Sequence, residues 1–191
     1  MNQTTPILLS LALLLPLNGM AADQKIDLAR VVSAATGDWN SDGMMDRAFL
    51  VTADNDEMDV ALHIYLGESS SPLPKLEIIK PDLVWSGAMW GTTPSLTLGK
   101  SGSLEVHSQN EAIGRHRWNQ TLTLAYRQGA FVVAGYTYNS YDTLDLNAGL
   151  SCDINLLTGG GIKDKKSFKI PAKMMPLADW SADQVPSQCR E

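Results

Sequence analysis

Residues 118–139 read "WNQTLTLAYRQGAFVVAGYTYN". Two runs rich in threonine, valine and aromatic residues flank Gln128-Gly129. Branched and aromatic side chains suit a pleated, half-buried surface, so each run reads as a strand. A two-residue link containing glycine joins two strands as a tight hairpin, because such turns need left-handed backbone. Trp118, Thr121, Thr123 and Tyr126 then meet Phe131, Val133, Tyr136 and Tyr138 across the ladder. Each cross-strand pair of this kind adds roughly 0.2–1 kcal/mol.

The same alternation of apolar and polar residues recurs on both sides of this hairpin. "ARVVSAAT" (29–36), "RAFLVTAD" (47–54), "DVALHIYLG" (59–67) and "KLEIIK" (75–80) precede it, as do "SLTLG" (95–99) and "SLEVHS" (103–108). "SCDINLL" (151–157) and "KSFKIP" (166–171) follow, with "TGGGIKD" read as the turn between them. Short strands with regular turn signals and no long amphipathic helix argue an all-β fold. The expected architecture is a single antiparallel sheet or sandwich-like domain with a short C-terminal helix near 177–184, capped by Asp179 or Ser181. No repeat period recurs along the chain.

The chain has 191 residues, which suggests one domain. Residues 7–17, "ILLSLALLLPL", form an apolar run too short to span a bilayer as a mature helix. "NGMAA" follows, with small residues where a signal peptidase cleaves. Residues 1–22 therefore read as a signal peptide and 23–191 as one β-rich domain, exported to a periplasm or secreted. The leading "MNQTTP" lacks the usual lysine or arginine. No second apolar run approaches membrane length, so stable membrane insertion after cleavage is not expected. Cys152 and Cys189, the two cysteines, read as one disulfide in an exported chain. A metal pair or redox pair would want them close in sequence. The formal net charge is −6 and nothing basic is clustered except "KDKK", so nucleic acid is not an expected partner. "KDKK" (163–166) reads as a solvated hairpin turn.

The stretch "GDWNSDGMMD" (37–46) gathers Asp38, Asn40, Asp42 and Asp46 around Gly43. Calcium wants about six to eight hard oxygens, and a D-x-N-x-D-G arrangement can fold them around one ion. Met44 would add its backbone carbonyl. The twelfth position holds Phe49 where an EF-hand needs a bidentate glutamate, so this is not an EF-hand. Asp, Asn and Gly are also turn formers, and an ion-free polar turn is the competing reading. The stretch "GDWNSDGMMDRAFLV" resembles a single FG-GAP (VCBS-type) repeat, a hairpin spanning about 30–54 here. That resemblance implies a strand, an Asp loop and a second strand, with calcium held by Asp38, Asn40, Asp42, Asp46 and the Met44 carbonyl. "SCDINLLTGGGIK" is similar to segments of small exported bacterial proteins of unassigned role.

Other chemistry is sparse. The acidic stretches "DNDEMD" (54–59) and "YDTLDLNAG" (141–149) lack ligand spacing and read as loops. His63, His107 and His116 form no metal-binding pair. "GKSGS" misses the nucleophile elbow of serine hydrolases, and "TGGG" lacks the Lys-Ser/Thr of a phosphate loop. Ligand binding is expected around Trp85 and Trp90, which could stack on a sugar or anchor a partner. His107, Arg115 and Arg117 in the 107–118 segment form a second candidate for a polar ligand. The expected function is binding of a protein or glycan in the cell envelope. Two alternatives stay open: a periplasmic hydrolase using His107 or His116 with a nearby acid, and an inhibitor of an envelope enzyme.

Overall fold

The computed structural model describes residues 26–53, 58–145 and 147–190. The expected signal peptide (1–22) and residues 54–57 of the acidic turn lie outside them. The first strands are β1 (Val31–Gly37), β2 (Asp46–Thr52), β3 (Asp59–Glu68) and β4 (Ser71–Trp85). They form one antiparallel sheet in the order β1-β2-β3-β4. Next come β5 (Ser95–Leu98), β6 (Leu104–Asn110), β7 (His116–Arg127), β8 (Ala130–Asp142) and β9 (Gly149–Asn155). With β10 (Gly160–Lys163) and β11 (Lys166–Lys169) they make a second meander, to which β12 (Met175–Pro176) adds beside β8.

The hairpin read first from the sequence is β7–β8. Gln128 and Gly129 have φ of 52° and 81°, the left-handed pair that matches the strands' own twist. Arg127 pairs with Ala130 and Tyr126 with Phe131, whose rings meet edge to face at 5.2 Å. "KDKK" closes a second turn of the same type, with Asp164 and Lys165 at φ of 46° and 67°. It joins β10 to β11, so "GGIK" is itself a strand rather than a turn. Gly161 sits there because the Phe168 ring covers the space that a Cβ would occupy.

The two sheets pack face to face over one core. Ala48, Leu50, Val60, Leu62, Ile64 and Val84 come from the small sheet. Leu104, Val106, Leu122, Leu124, Val133 and Ile154 come from the large one. Complete burial of one such aliphatic side chain stabilises by about 1.5–3 kcal/mol. One side of the sandwich is closed where β5 meets β1, and the Leu96 amide donates to Ser33 Oγ at 2.9 Å. The opposite edge strand, β4, carries Pro72, Pro74 and Pro81, which remove donors that could recruit another strand. Outside the core, His63 is partly buried on β3 beside Arg30. Burial first, then the guanidinium, lower its pKa below the usual histidine value.

The C-terminal helix does not form. The tail instead makes three 3-10 turns, Leu177–Asp179, Ala182–Gln184 and Ser187–Cys189. Pro176 and Pro186 precede two of them, and Trp180 and Ser181 are extended between them. Neither Asp179 nor Ser181 caps a turn through its side chain. Tertiary burial decides this path. Leu177 and Trp180 are packed into the core, and Cys189 is bonded to Cys152 across a sequence separation of 37. The disulfide fits an oxidising environment outside the cytoplasm. Among the described residues no helix is long and apolar enough to cross a membrane.

Candidate functional site

The 38–46 loop spends its oxygens mainly on its own amides. Asp38 accepts from the amides of Asp42 (3.1 Å) and Gly43 (3.0 Å). Asp42 accepts from the Met44 amide (2.7 Å) and from Asn40 Nδ2 (2.8 Å). Ser41 and Gly43 turn the chain with φ of 61° and 85°. Asp46 points the other way. It is fully buried, and its two oxygens accept from the Trp39 amide (2.8 Å) and the Gly67 amide (3.0 Å). Among the described residues no three His, Cys, Asp or Glu side chains are grouped to hold an ion.

The five residues marked for ligand binding do not converge. Trp85 ends β4, half-buried, its ring 6.0 Å from that of Trp118. Trp118 continues through Tyr138 and Tyr136 to Trp180 as a row of ring contacts on the inner face of the large sheet. Trp90 stands apart, exposed with Met89 on a 3-10 turn after β4. His107 lies on the outer face of the large sheet. Its ring nitrogens sit 2.7 Å from Thr97 Oγ1 and 2.9 Å from Thr121 Oγ1. Arg115 holds Asp142 at 2.6 Å, and this bond chiefly keeps the Asp142 carboxyl below the usual range. Arg117 pairs with Tyr141 across β7–β8, and its Nη1 is buried without a hydrogen-bond partner. His116 lies opposite Asp142 and lines a cavity with Lys163, Asp164 and Arg190.

A different place on the molecule has the form of a ligand site. It is a cavity of about 470 Å³ on the outer face of the large sheet, at the end nearest the Asp loop. Its floor is made of small or apolar residues, Ala125, Ala134, Gly135 and Leu157. Thr123 pairs with Gly135 and Leu124 with Val133, so Ala134 is an extra residue on β8, a β-bulge. A bulge re-aims a strand locally, and here it sets two small residues side by side beneath the hollow. The rim is polar. Asp38 and Ser41 come from the Asp loop, Ser101 and Ser103 from the β5–β6 turn, Arg127 from β7, and Asp153 and Asn155 from β9.

Three of the rim groups are held in place by bonds within the fold. Thr137 Oγ1 donates to Asp153 Oδ1 at 2.7 Å. Asn155 Oδ1 accepts from the Thr158 amide at 2.9 Å. Arg127 Nη1 donates to the Tyr126 carbonyl at 2.7 Å. A pocket of a few hundred cubic ångströms with a few fixed polar groups is the usual geometry of small-molecule binding. Apart from Asp38, singled out as a calcium ligand, sequence reading missed these residues. The alternation Ser151, Asp153, Asn155 marks a solvent-facing row, but nothing local marks the hollow beside it. No protein-family model, no curated protein and no solved structure significantly matches the chain.

Proposed function

We propose that this protein is an exported binding module that holds a neutral carbohydrate in the hollow over Ala125, Ala134 and Gly135. The floor of small residues ringed by hydroxyl, amide and carboxylate groups carries this reading. A sugar ring offers a flat C–H face and a girdle of hydroxyls that both donate and accept, and the rim meets them with carboxylate acceptors, the Arg127 donors, and the serine and Asn155 groups that do both. Asp153 offsets the single guanidinium of Arg127, so the rim offers an anionic ligand no net positive charge. Export rests on the leader at 1–22 and on the disulfide. Titration by NMR against N-acetylglucosamine, maltose and cellobiose tests the reading. At least one is expected to shift resonances around the hollow, and Asn155→Ala, at an exposed position, to weaken it by about tenfold. No binding by any of the three, or full binding by Asn155→Ala, overturns it.

The β1–β2 hairpin is read in the same proposal as one FG-GAP-type unit that takes calcium. Asp38, Asn40 and Asp42 stand at the loop's outer rim and would hold the ion with the Met44 carbonyl. The inward Asp46 would brace the loop rather than face solvent. The ion would neutralise the crowded carboxylates and stiffen the turn. Calcium at 100 times its dissociation constant would stabilise by about 2.7 kcal/mol. The melting temperature is expected to rise in millimolar calcium over chelator, and Asp42→Ala to abolish the rise. An unchanged wild-type melting temperature removes the calcium proposal and leaves the carbohydrate reading intact.

A further inference from the structure

We infer that the ligand is a chain of acetamido sugars laid across the outer face of the large sheet, with the hollow as its end subsite. This rests on the carbohydrate reading of the hollow. Asp153, on the rim, belongs to a cross-strand row that ends on one side in the exposed Ile162 and Ser167 and on the other crosses the sheet. It pairs with Thr137, Thr137 with Thr121, Thr121 with His107, and His107 with Ser95. A second row runs beside it, from Ser151 through Asn139 and Asn119 to Gln109. Neighbouring strands lie about 4.8 Å apart, so the five strands from β9 to β5 span roughly 19 Å. That is room for several sugar rings end to end.

The composition of these rows is the second observation. From β9 to β5 they hold nine side chains, of which one, Asp153, is an acid and none is lysine or arginine. A face kept merely soluble usually mixes in charges of both signs, about a quarter to a third of its residues. Within these two rows hydroxyls and amides replace them, with Glu105 the charged neighbour on the same face, 3.6 Å from His107 Nε2. They are also fixed in place. Ser151 Oγ donates to Asn139 Oδ1 at 2.9 Å, and Asn139 Nδ2 donates to Asn119 Oδ1 at 3.2 Å. His107 bridges Thr97 and Thr121. Side chains held before binding lose little freedom on binding, which favours affinity.

The amide row selects the ligand class. An asparagine or glutamine side chain donates and accepts at once, and each can still take further bonds. An acetamido group presents the same donor and acceptor in reverse, so one sugar unit can pair with one amide. The rows themselves hold no lysine or arginine, so an acidic polysaccharide would meet a guanidinium only beside them, at Arg117 and at Arg127 of the hollow.

Calorimetry with N-acetylglucosamine, its β-1,4-linked trimer and hexamer, and cellohexaose tests this. The hexamer is expected to bind at least about tenfold tighter than either the monosaccharide or cellohexaose. Asn119→Ala/Asn139→Ala is expected to lose that gain while binding the monosaccharide as before. Gln109→Ala, at an exposed position, repeats the test should the double variant melt early. Equal affinity for monosaccharide and hexamer overturns the chain and leaves the hollow as a single-sugar site. Cellohexaose binding as tightly as the acetamido hexamer overturns the acetamido class. No binding of any saccharide overturns the chain and the carbohydrate reading together.

Discussion

Asp46→Ala is expected to destabilise the protein by about 3–5 kcal/mol, from two charge-capable hydrogen bonds lost and two donors left unpaired. Its side chain joins three parts of the chain. One oxygen takes the Trp39 amide at the start of the Asp loop, and the other takes the Gly67 amide near the end of β3. Both bonds are buried, so no water replaces the lost acceptor. Gly67 has no room to adjust, since a Cβ there would stand 2.8 Å from the Met45 carbonyl. Whole domains are stable by only about 5–15 kcal/mol, so the loss is a large fraction of the total. Urea denaturation in chelator measures it without contribution from calcium. Asp46→Asn should lose less, because its amide keeps one acceptor. A loss below about 1 kcal/mol for the alanine variant, less than one ordinary buried hydrogen bond with its desolvation, would refute this account.

Removing the disulfide is the second large effect expected. Cys152 and Cys189 close a separation of 37 residues. In the chain-entropy description a loop of that length is worth about 4 kcal/mol. The tail has little local structure of its own to offset this. Its 3-10 turns are three residues each, and its anchors are Leu177, Trp180 and the Lys80 Nζ bond to the Ala178 carbonyl at 3.0 Å. Cys152→Ser/Cys189→Ser should therefore lower the denaturation midpoint and release Trp180 from Tyr136, whose rings lie 6.0 Å apart. A red shift in tryptophan emission and early proteolysis after β12 would report that release. A midpoint unchanged by the double variant, and by reduction of the wild type, would show that packing alone holds the tail.

The elements that could be read from sequence are those whose signals are local. Gln128-Gly129 announces its turn because few residues tolerate left-handed backbone, and the structure places both there. Alternation along β9 separates Leu150, Cys152 and Ile154 from Ser151, Asp153 and Asn155 without any knowledge of the neighbours. Two cysteines in a chain whose leader reads as an export signal predict a bond, and the fold contains it. The tail's turn-forming and capping residues resemble a helix start, yet only 3-10 turns form there. Burial of Trp180 and the bond at Cys189 impose an extended path that local propensity does not reveal. In "TGGG" the turn reading holds for Gly159, at φ of 75°, and fails for Gly160 and Gly161, which are strand. A strand glycine under an aromatic ring looks identical in sequence to a turn glycine.

The candidate ligand residues show the same division. Trp85 and Trp90 are five positions apart, yet one packs against Trp118 and the other is exposed on a loop. His107 and Asp153 are far apart in sequence, yet they belong to one row across four strands. The sequence alone determined the all-β class, the main hairpin, the cysteine pairing and the Asp loop, because backbone sterics, side-chain alternation and residue chemistry act over a few residues. The tertiary structure alone decided the inward turn of Asp46, the path of the tail, and the polar-rimmed hollow. Each of these depends on which distant residues meet: an amide from β3, a cysteine from β9, and small side chains from β7 and β8 set together by one extra residue.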